Sequence, residues 1–294
     1  MLVLQAVIDG VLTGGFYALM AAGLTIVFGV MEIVNFAQGV LVVLGAYLSY
    51  ALYSHEFGHF RIDPFLSLLV TIPAMFVVGY VVYYALLKPI RQDRVVMSLL
   101  VMFAVGTLLE GVLDLVFTSN LVQIHTSYVD DSVQVGSLIF PYIYLYAFAM
   151  SVVLLGGLYL LLYRTRFGRS LRAAMQNPTA AKLVGIDTDR VSAFTLGIGV
   201  GLAAAGGMVF GATNSFDAAS SYDLISRLLA IVIFGGFGSL GGALVAAVSM
   251  LVIEDVVAVV WSPTWGQTTF YIVLIAVLLL RPQGLFGRRA VRAQ

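Results

Sequence analysis

The chain has 294 residues, 61% of them hydrophobic and only 10% charged, and its mean hydropathy of +1.02 is far above that of a domain that must carry a polar shell. Such a composition excludes a soluble globular protein and makes a lipid bilayer the natural solvent. A net charge of zero conceals an uneven distribution, because 13 of the 15 Lys and Arg fall in three clusters, Lys88 to Arg94, Arg164 to Arg190 and Arg281 to Arg292; the positive-inside rule assigns all three to the cytoplasmic side.

Apolar runs of about 20 residues, enough to span a hydrocarbon core of roughly 30 Å, recur along the chain. Residues 5–33 come first, and with no basic segment before them they read as a retained helix rather than a cleaved signal peptide. A polar "NFAQG" separates them from a second run at 36–54. Its amides, Asn35 and Gln38, can donate and accept, so they suit a chain break where backbone groups need partners. Further spans are expected at 65–87, 95–117, 141–163, 191–212, 224–260 and 268–281. The segments poor in Lys and Arg between them (53–64, 118–141, 213–223 and 261–267) should face the external side. Both flanks of 224–260 are then external, so this stretch crosses twice or dips in and returns. The run "LISRLLAIVIF" before the glycines is short for a full crossing, which sets a break at "GGFGSLGG" (235–242), with Gly235, Gly236, Gly238 and Ser239 in the turn. "IVFG" (26–29) and "VIFG" (232–235) each lead into such a turn and then an outgoing helix, a hint of two structural repeats of parallel sense. The fold class expected is therefore all-α: one transmembrane domain over residues 1–294, about eight spans, and one or two broken or re-entrant helices.

Thirty glycines create GxxxG spacings at Gly10/Gly14, Gly197/Gly201, Gly207/Gly211 and Gly238/Gly242, for which close helix packing is the favoured reading. With no cysteine, neither disulfides nor thiolate metal sites are available. "HEFGH" at His55, Glu56 and His59 matches a zinc-peptidase spacing, yet it carries an internal Gly58, lies at a membrane edge and has no third ligand in view, so a solvated loop is favoured. No GxxxxGK[ST] phosphate loop is present, and nothing in the chain reads as an enzyme. Glu110 and Asp114 share a helix face, and Glu254 and Asp255 lie at a similar depth in theirs. Carboxylates so placed could relay cations, but near helix ends hydration in the headgroup zone is the favoured reading.

The basic island at 164–190 is more structured than a tether. Phe167, Leu171 and Met175 form a short apolar stripe, with Arg169 and Arg172 off it. "NPTAAKLVG" then reads as a very short helix, with Asn177 as N-cap, Pro178 at the first helical position, Ala180, Ala181, Lys182 and Leu183 in the body, and Gly185 just past the end. A capped knob of this kind suits either a membrane surface or the docking of a cytoplasmic partner.

Four stretches, "GLTIVFGVMEIVNFAQGVLVVLGAYLSY" (23–50), "RTRFGRSLRAAMQNPTAAKLVGID" (164–187), "GGFGSLGGALVAA" (235–247) and "RPQGLFG" (281–287), together resemble the permease subunits of bacterial ABC importers for branched-chain amino acids. The resemblance runs over nearly the whole chain in the same order. It implies a multi-pass protein of the inner membrane with a cytoplasmic C-terminus, paired with a second, related permease, two cytoplasmic ATPase subunits and an external solute-binding protein. It also implies that the loop at 164–190 carries the helix that couples to an ATPase, that ATP and Mg belong to those partner chains, and that this chain binds no cofactor, metal or nucleic acid. Asn35, Gln38 and the Gly235 to Gly242 turn are the expected lining of the path. Members of the family often carry an acidic or polar residue where Val40 stands here, so no polar role is carried over to that position. Related permeases serve other amino acids, urea or short amides. The competing readings are an ion-coupled secondary transporter using Glu110, Asp114 or Glu254, and a channel.

Overall fold

The structure is a computed structural model that describes residues 1–54, 62–90, 93–126, 129, 131–136, 138–281 and 283–287. The "HEFGH" motif lies outside them. In hydrocarbon every backbone N–H and C=O needs a partner within its own segment, and the chain meets this demand with helices. They are α1 (Leu2–Met31), α2 (Gln38–Tyr53), α3 (Pro64–Val82), α4 (Arg94–Phe117), α5 (Tyr142–Arg164), α6 (Arg166–Gln176), α7 (Pro178–Leu183), α8 (Thr188–Thr213), α9 (Ser220–Gly235), α10 (Leu240–Val260) and α11 (Pro263–Leu280). Among the described residues, seven helices are long and apolar enough to cross a membrane; α3 counts with the π-helical turn Tyr83–Leu87 that extends it. The protein is an all-α, polytopic membrane protein.

Two of these helices form the centre. In α1 and α8, 83% and 89% of the most apolar window is buried within the chain, against 11% in α4 and in α11, which are therefore peripheral. Small residues permit the close approach at the centre. A Cβ placed on Gly23 would lie 2.6 Å from the Gly199 carbonyl oxygen, and one on Gly10 the same distance from Val252 Cα. The helical GxxxG pairs thus pack inside the chain: Gly10 and Gly14 against α10, Gly197 and Gly201 against α3, and Gly207 and Gly211 against α2 and Phe216. Gly238 is in a turn instead, with φ +75°.

The bundle has two chemically distinct ends. At one, the basic end, the last turn of α1, the start of α4, the α6–α7 segment and the start of α8 come together. There Tyr83 donates its hydroxyl to Asp189 Oδ1 at 3.0 Å, Arg94 Nη2 donates to the Tyr83 hydroxyl at 3.3 Å, and Lys88 pairs with Asp189 at 3.8 Å. Tyr83 is the first residue of the π-helical turn. The opposite, acidic end carries a feature absent from the sequence reading, an antiparallel hairpin of β1 (Ser132–Val135) and β2 (Leu138–Pro141) with Ser132 opposite Pro141. Gln5 ties α1 to it, donating to the Ile139 carbonyl and accepting from the Ile139 N–H at 3.0 Å.

The interruption expected in 224–260 is present: α9 stops at Gly235 and α10 starts at Leu240. At 16 residues, α2 and α9 are each about 24 Å long, short of a roughly 30 Å core, so α9 enters from the acidic end and reverses at the turn.

Candidate functional site

The first break follows α1. Glu32 adopts a left-handed conformation, φ 55°, and its N–H closes the helix on the Phe28 carbonyl at 2.8 Å. Asn35 Oδ1 then accepts the Ala37 N–H at 3.1 Å, Asn35 Nδ2 donates to Gln38 Oε1 at 3.0 Å, and Gln38 Nε2 reaches the Gly199 carbonyl at 3.5 Å. Both amides are fully enclosed. Asn35 thus supplies one bond to the interrupted backbone, as its chemistry anticipates, whereas Gln38 joins Asn35 to the carbonyl of a continuous neighbouring helix, α8.

In the second break, Gly236 and Gly238 take φ +94° and +75°, a region that favours glycine, and Ser239 Oγ caps α10 by accepting the Gly242 N–H at 3.1 Å. Gly235 and Gly236 are buried, and Gly238 and Ser239 half-buried. The last carbonyls of α9 find an unexpected partner in the C-terminal segment. Leu285 N–H donates to the Phe234 carbonyl at 2.8 Å, and Phe286 N–H to that of Gly235 at 3.2 Å. The quoted tail motif thus serves as the cap of the re-entrant helix.

The two breaks touch. The rings of Phe28 and Phe237 lie 4.3 Å apart, and a Cβ on Gly29 would stand 3.6 Å from Gly238 Cα. "IVFG" and "VIFG" therefore end side by side, each at the end of a helix that runs toward the basic end and then reverses.

Beside the breaks, α4 and α9 present polar groups outward. On α4, Thr107 and Asp114 are exposed and Glu110 half-buried; on α9, Tyr222, Asp223 and Ser226 are exposed. Tyr222 of α9 lies beside Glu110 of α4. Both helices pack on the start of α2, Gly106 against Ala37 and Ile225 against Gly39. A side chain that the sequence reading passed over holds this face in place. Arg227, on α9, sends Nε to Asp223 Oδ2 at 3.0 Å and Nη1 to both oxygens of Glu254 at 3.0 Å, with its guanidinium 5.8 Å from the Phe270 ring centre. Arg227 and Glu254 are each 11% exposed in their side chains, whereas Asp223 is 58% exposed. Glu254 is thus a buried, paired carboxylate and not a hydrated helix-end group, because α9 folds back over it. Asp255 instead lines, with Gln5, Asp9, Thr13 and Tyr144, an open cleft of about 460 Å³ at the acidic end.

At the basic end, Thr165 caps α6 by accepting the Gly168 N–H at 3.0 Å, and Leu171 and Ala174 are buried under it. Arg172 folds home, donating to the Leu162 carbonyl with its guanidinium 5.0 Å from the Tyr163 ring centre, while Arg169 is exposed. Asn177 Oδ1 accepts the Ala180 N–H at 2.9 Å to start α7 behind Pro178. The helix closes with Gly185 N–H on the Lys182 carbonyl and Ile186 N–H on that of Ala181, both at 3.0 Å, with Gly185 at φ +83°. The anticipated caps are all in place. Ala181 is buried, whereas Ala180, Lys182, Leu183 and Val184 are exposed, the last two at 84% and 77%. The knob therefore offers an apolar tip to whatever lies below it.

Across residues 6–279 the chain matches the family described as "Branched-chain amino acid transport system / permease component". The chain belongs to this family. Among similar proteins, the permease is 30% identical to the probable branched-chain amino acid transport permease protein LivH of Methanocaldococcus jannaschii, over 92% of this chain and 88% of the relative. It is 27% identical to the high-affinity branched-chain amino acid transport system permease protein BraD of Pseudomonas aeruginosa, over 98% and 97%. A more distant likeness, 30% over 45% of this chain and 34% of the relative, is to the xylose transport system permease protein XylH of Escherichia coli. No solved structure matches the permease. It is a multi-pass transport component, one member of a system of several parts.

Proposed function

We propose that this permease is the membrane-spanning half of an ATP-driven importer that carries branched-chain or other hydrophobic amino acids inward by alternating access. The observation that carries this reading is the knob. A short helix with caps at both ends and Leu183 and Val184 exposed is built to be gripped, which a solvated loop has no need of. Its occupant is the ATPase subunit, with ATP and Mg bound there, and Arg169, Pro178, Ala180, Lys182, Leu183 and Gly185 at or near the contact. By charge the basic end and the C-terminus are cytoplasmic, in a bacterial inner membrane, and the acidic end meets an external solute-binding protein.

Exposed Asp114 and Asp223 and half-buried Glu110 do not belong against lipid tails, so the α4–α9 face turns to the path and to a second, related permease. Asn35, Gln38, Gly235, Gly236, Gly238 and Ser239 act on that path by shaping the two breaks that flank it.

The test is uptake of leucine into liposomes that hold the permease with its co-purifying subunits, the ATPase face supplied with ATP. Uptake is expected to require ATP and to vanish when Ala180 to Gly185 are scrambled, while the permease still inserts. Uptake by this chain alone, driven by an ion gradient and indifferent to the scramble, would overturn the reading in favour of ion coupling through the carboxylates.

A further inference from the structure

The knob does not end at the basic surface. Asn177 belongs to both of its helices: its N–H donates to the Ala173 carbonyl at 3.1 Å, closing α6, while its Oδ1 opens α7. The two helices thus share one extended corner residue, held by a bond on each side, through which a displacement of α7 reaches α6. Two residues before Asn177, Met175 reaches back into the bundle. A Cβ on Gly29 would meet the Met175 methyl and lie 3.6 Å both from its Sδ and from Gly238 Cα. One thioether thus bears on the end of α1 where α1 bears on the turn after α9, next to the Phe28–Phe237 ring contact. The absence of a side chain at Gly29 is what admits it, and methionine is flexible and polarizable enough to keep contact while its neighbours shift.

We infer that Met175 is a positioning residue that links the knob to both helix breaks, and that the ends of α1 and α9 move as one unit. This rests on the knob's being gripped by an ATPase, and it names what the grip moves. The bland alternative, that Met175 merely fills a gap, makes a different forecast for the quantity that matters, solute carried per ATP consumed.

Uptake and ATP hydrolysis are measured in the same liposomes, which hold the permease with its ATPase. Met175→Ala is expected to assemble and hydrolyse ATP, yet to carry less solute per ATP by about five-fold or more, the scale of an ordinary coupling energy. Met175→Leu, which restores the apolar bulk, should recover most of the ratio. An unchanged ratio in Met175→Ala, whether both rates fall together or neither does, overturns the proposal. Should Met175→Ala fail to assemble, a cross-link decides. The chain has no cysteine, so Phe28→Cys with Phe237→Cys can be joined by a short bifunctional thiol reagent. Breaks that move as one unit tolerate the link and uptake continues; loss of uptake on linking, set against the unlinked double variant, means that they move independently. If the scrambled knob still supports ATP-driven uptake, it is the grip itself that has failed, whatever Met175 does.

Discussion

Taking away the Arg227 guanidinium would strand the Glu254 carboxylate among α9, α10 and α11, and a buried charge that loses its partner costs about 3–5 kcal/mol. Arg227→Met should accordingly lower the thermal unfolding temperature of the purified permease sharply. Adding Glu254→Met should restore most of the loss, since an apolar pair replaces the ion pair. Melting curves of the two single variants and the double variant check this, and a double variant as unstable as the singles would contradict it. Nothing local in the sequence announces this pair. Arg227 interrupts an otherwise apolar run, its partner is 27 positions away, and distance to the helix end, the only local guide to Glu254, is blind to a neighbouring helix that covers it. Asn35 was legible for the opposite reason, because its amide bonds the backbone two residues on, whereas the reach of Gln38 to Gly199 spans 161 positions and was not.

The same contrast holds for whole elements. Knob helix α7 could be drawn from sequence to within a residue because a cap is a bond between near neighbours, Asn177 to Ala180 at one end and Gly185 to Lys182 at the other. Losing that first bond should destabilise the helix by about 1 kcal/mol. With only six residues in α7, Asn177→Ala is expected to raise hydrogen exchange across 178–186 and to reduce co-purification of the ATPase, leaving the melting temperature of the bundle close to wild type. Protection equal to wild type would show that the cap is dispensable. Re-entrant α9 was legible from the shortness of the apolar run "LISRLLAIVIF", from the external flanks of 224–260, and from the glycines that follow. The β1–β2 hairpin was not, because its strands are four residues each and lie in a polar stretch whose neighbours in space, such as Gln5, are far away in sequence. The outward polar stripe on α4 and α9 was half visible: Glu110 and Asp114 stood out, but Tyr222 and Asp223 join them only once α9 is known to pack against α2.

At the scale of the molecule, the division into a basic and an acidic end gives the clearest forecast. In intact cells, a membrane-impermeant maleimide should label Ser215→Cys and leave Lys182→Cys untouched until the membrane is opened. The reverse pattern would invert the topology and place the knob outside. Membrane class and the alternation of spans were readable from apolar length and the clustering of Lys and Arg, because the bilayer imposes both on every segment separately. Which helices form the centre was not readable from hydropathy, since central α1 and α8 fall between peripheral α11, which is less apolar, and peripheral α4, which is more so. The pairing of Leu285 and Phe286 with the end of α9 bears on how such a chain is made. Synthesis reaches Phe234 about fifty residues before Leu285, with α10 and α11 still to be inserted. Through that interval the carbonyls of Phe234 and Gly235 lack their final partners. The re-entrant helix is thus finished last, after every helix that follows it has entered the membrane.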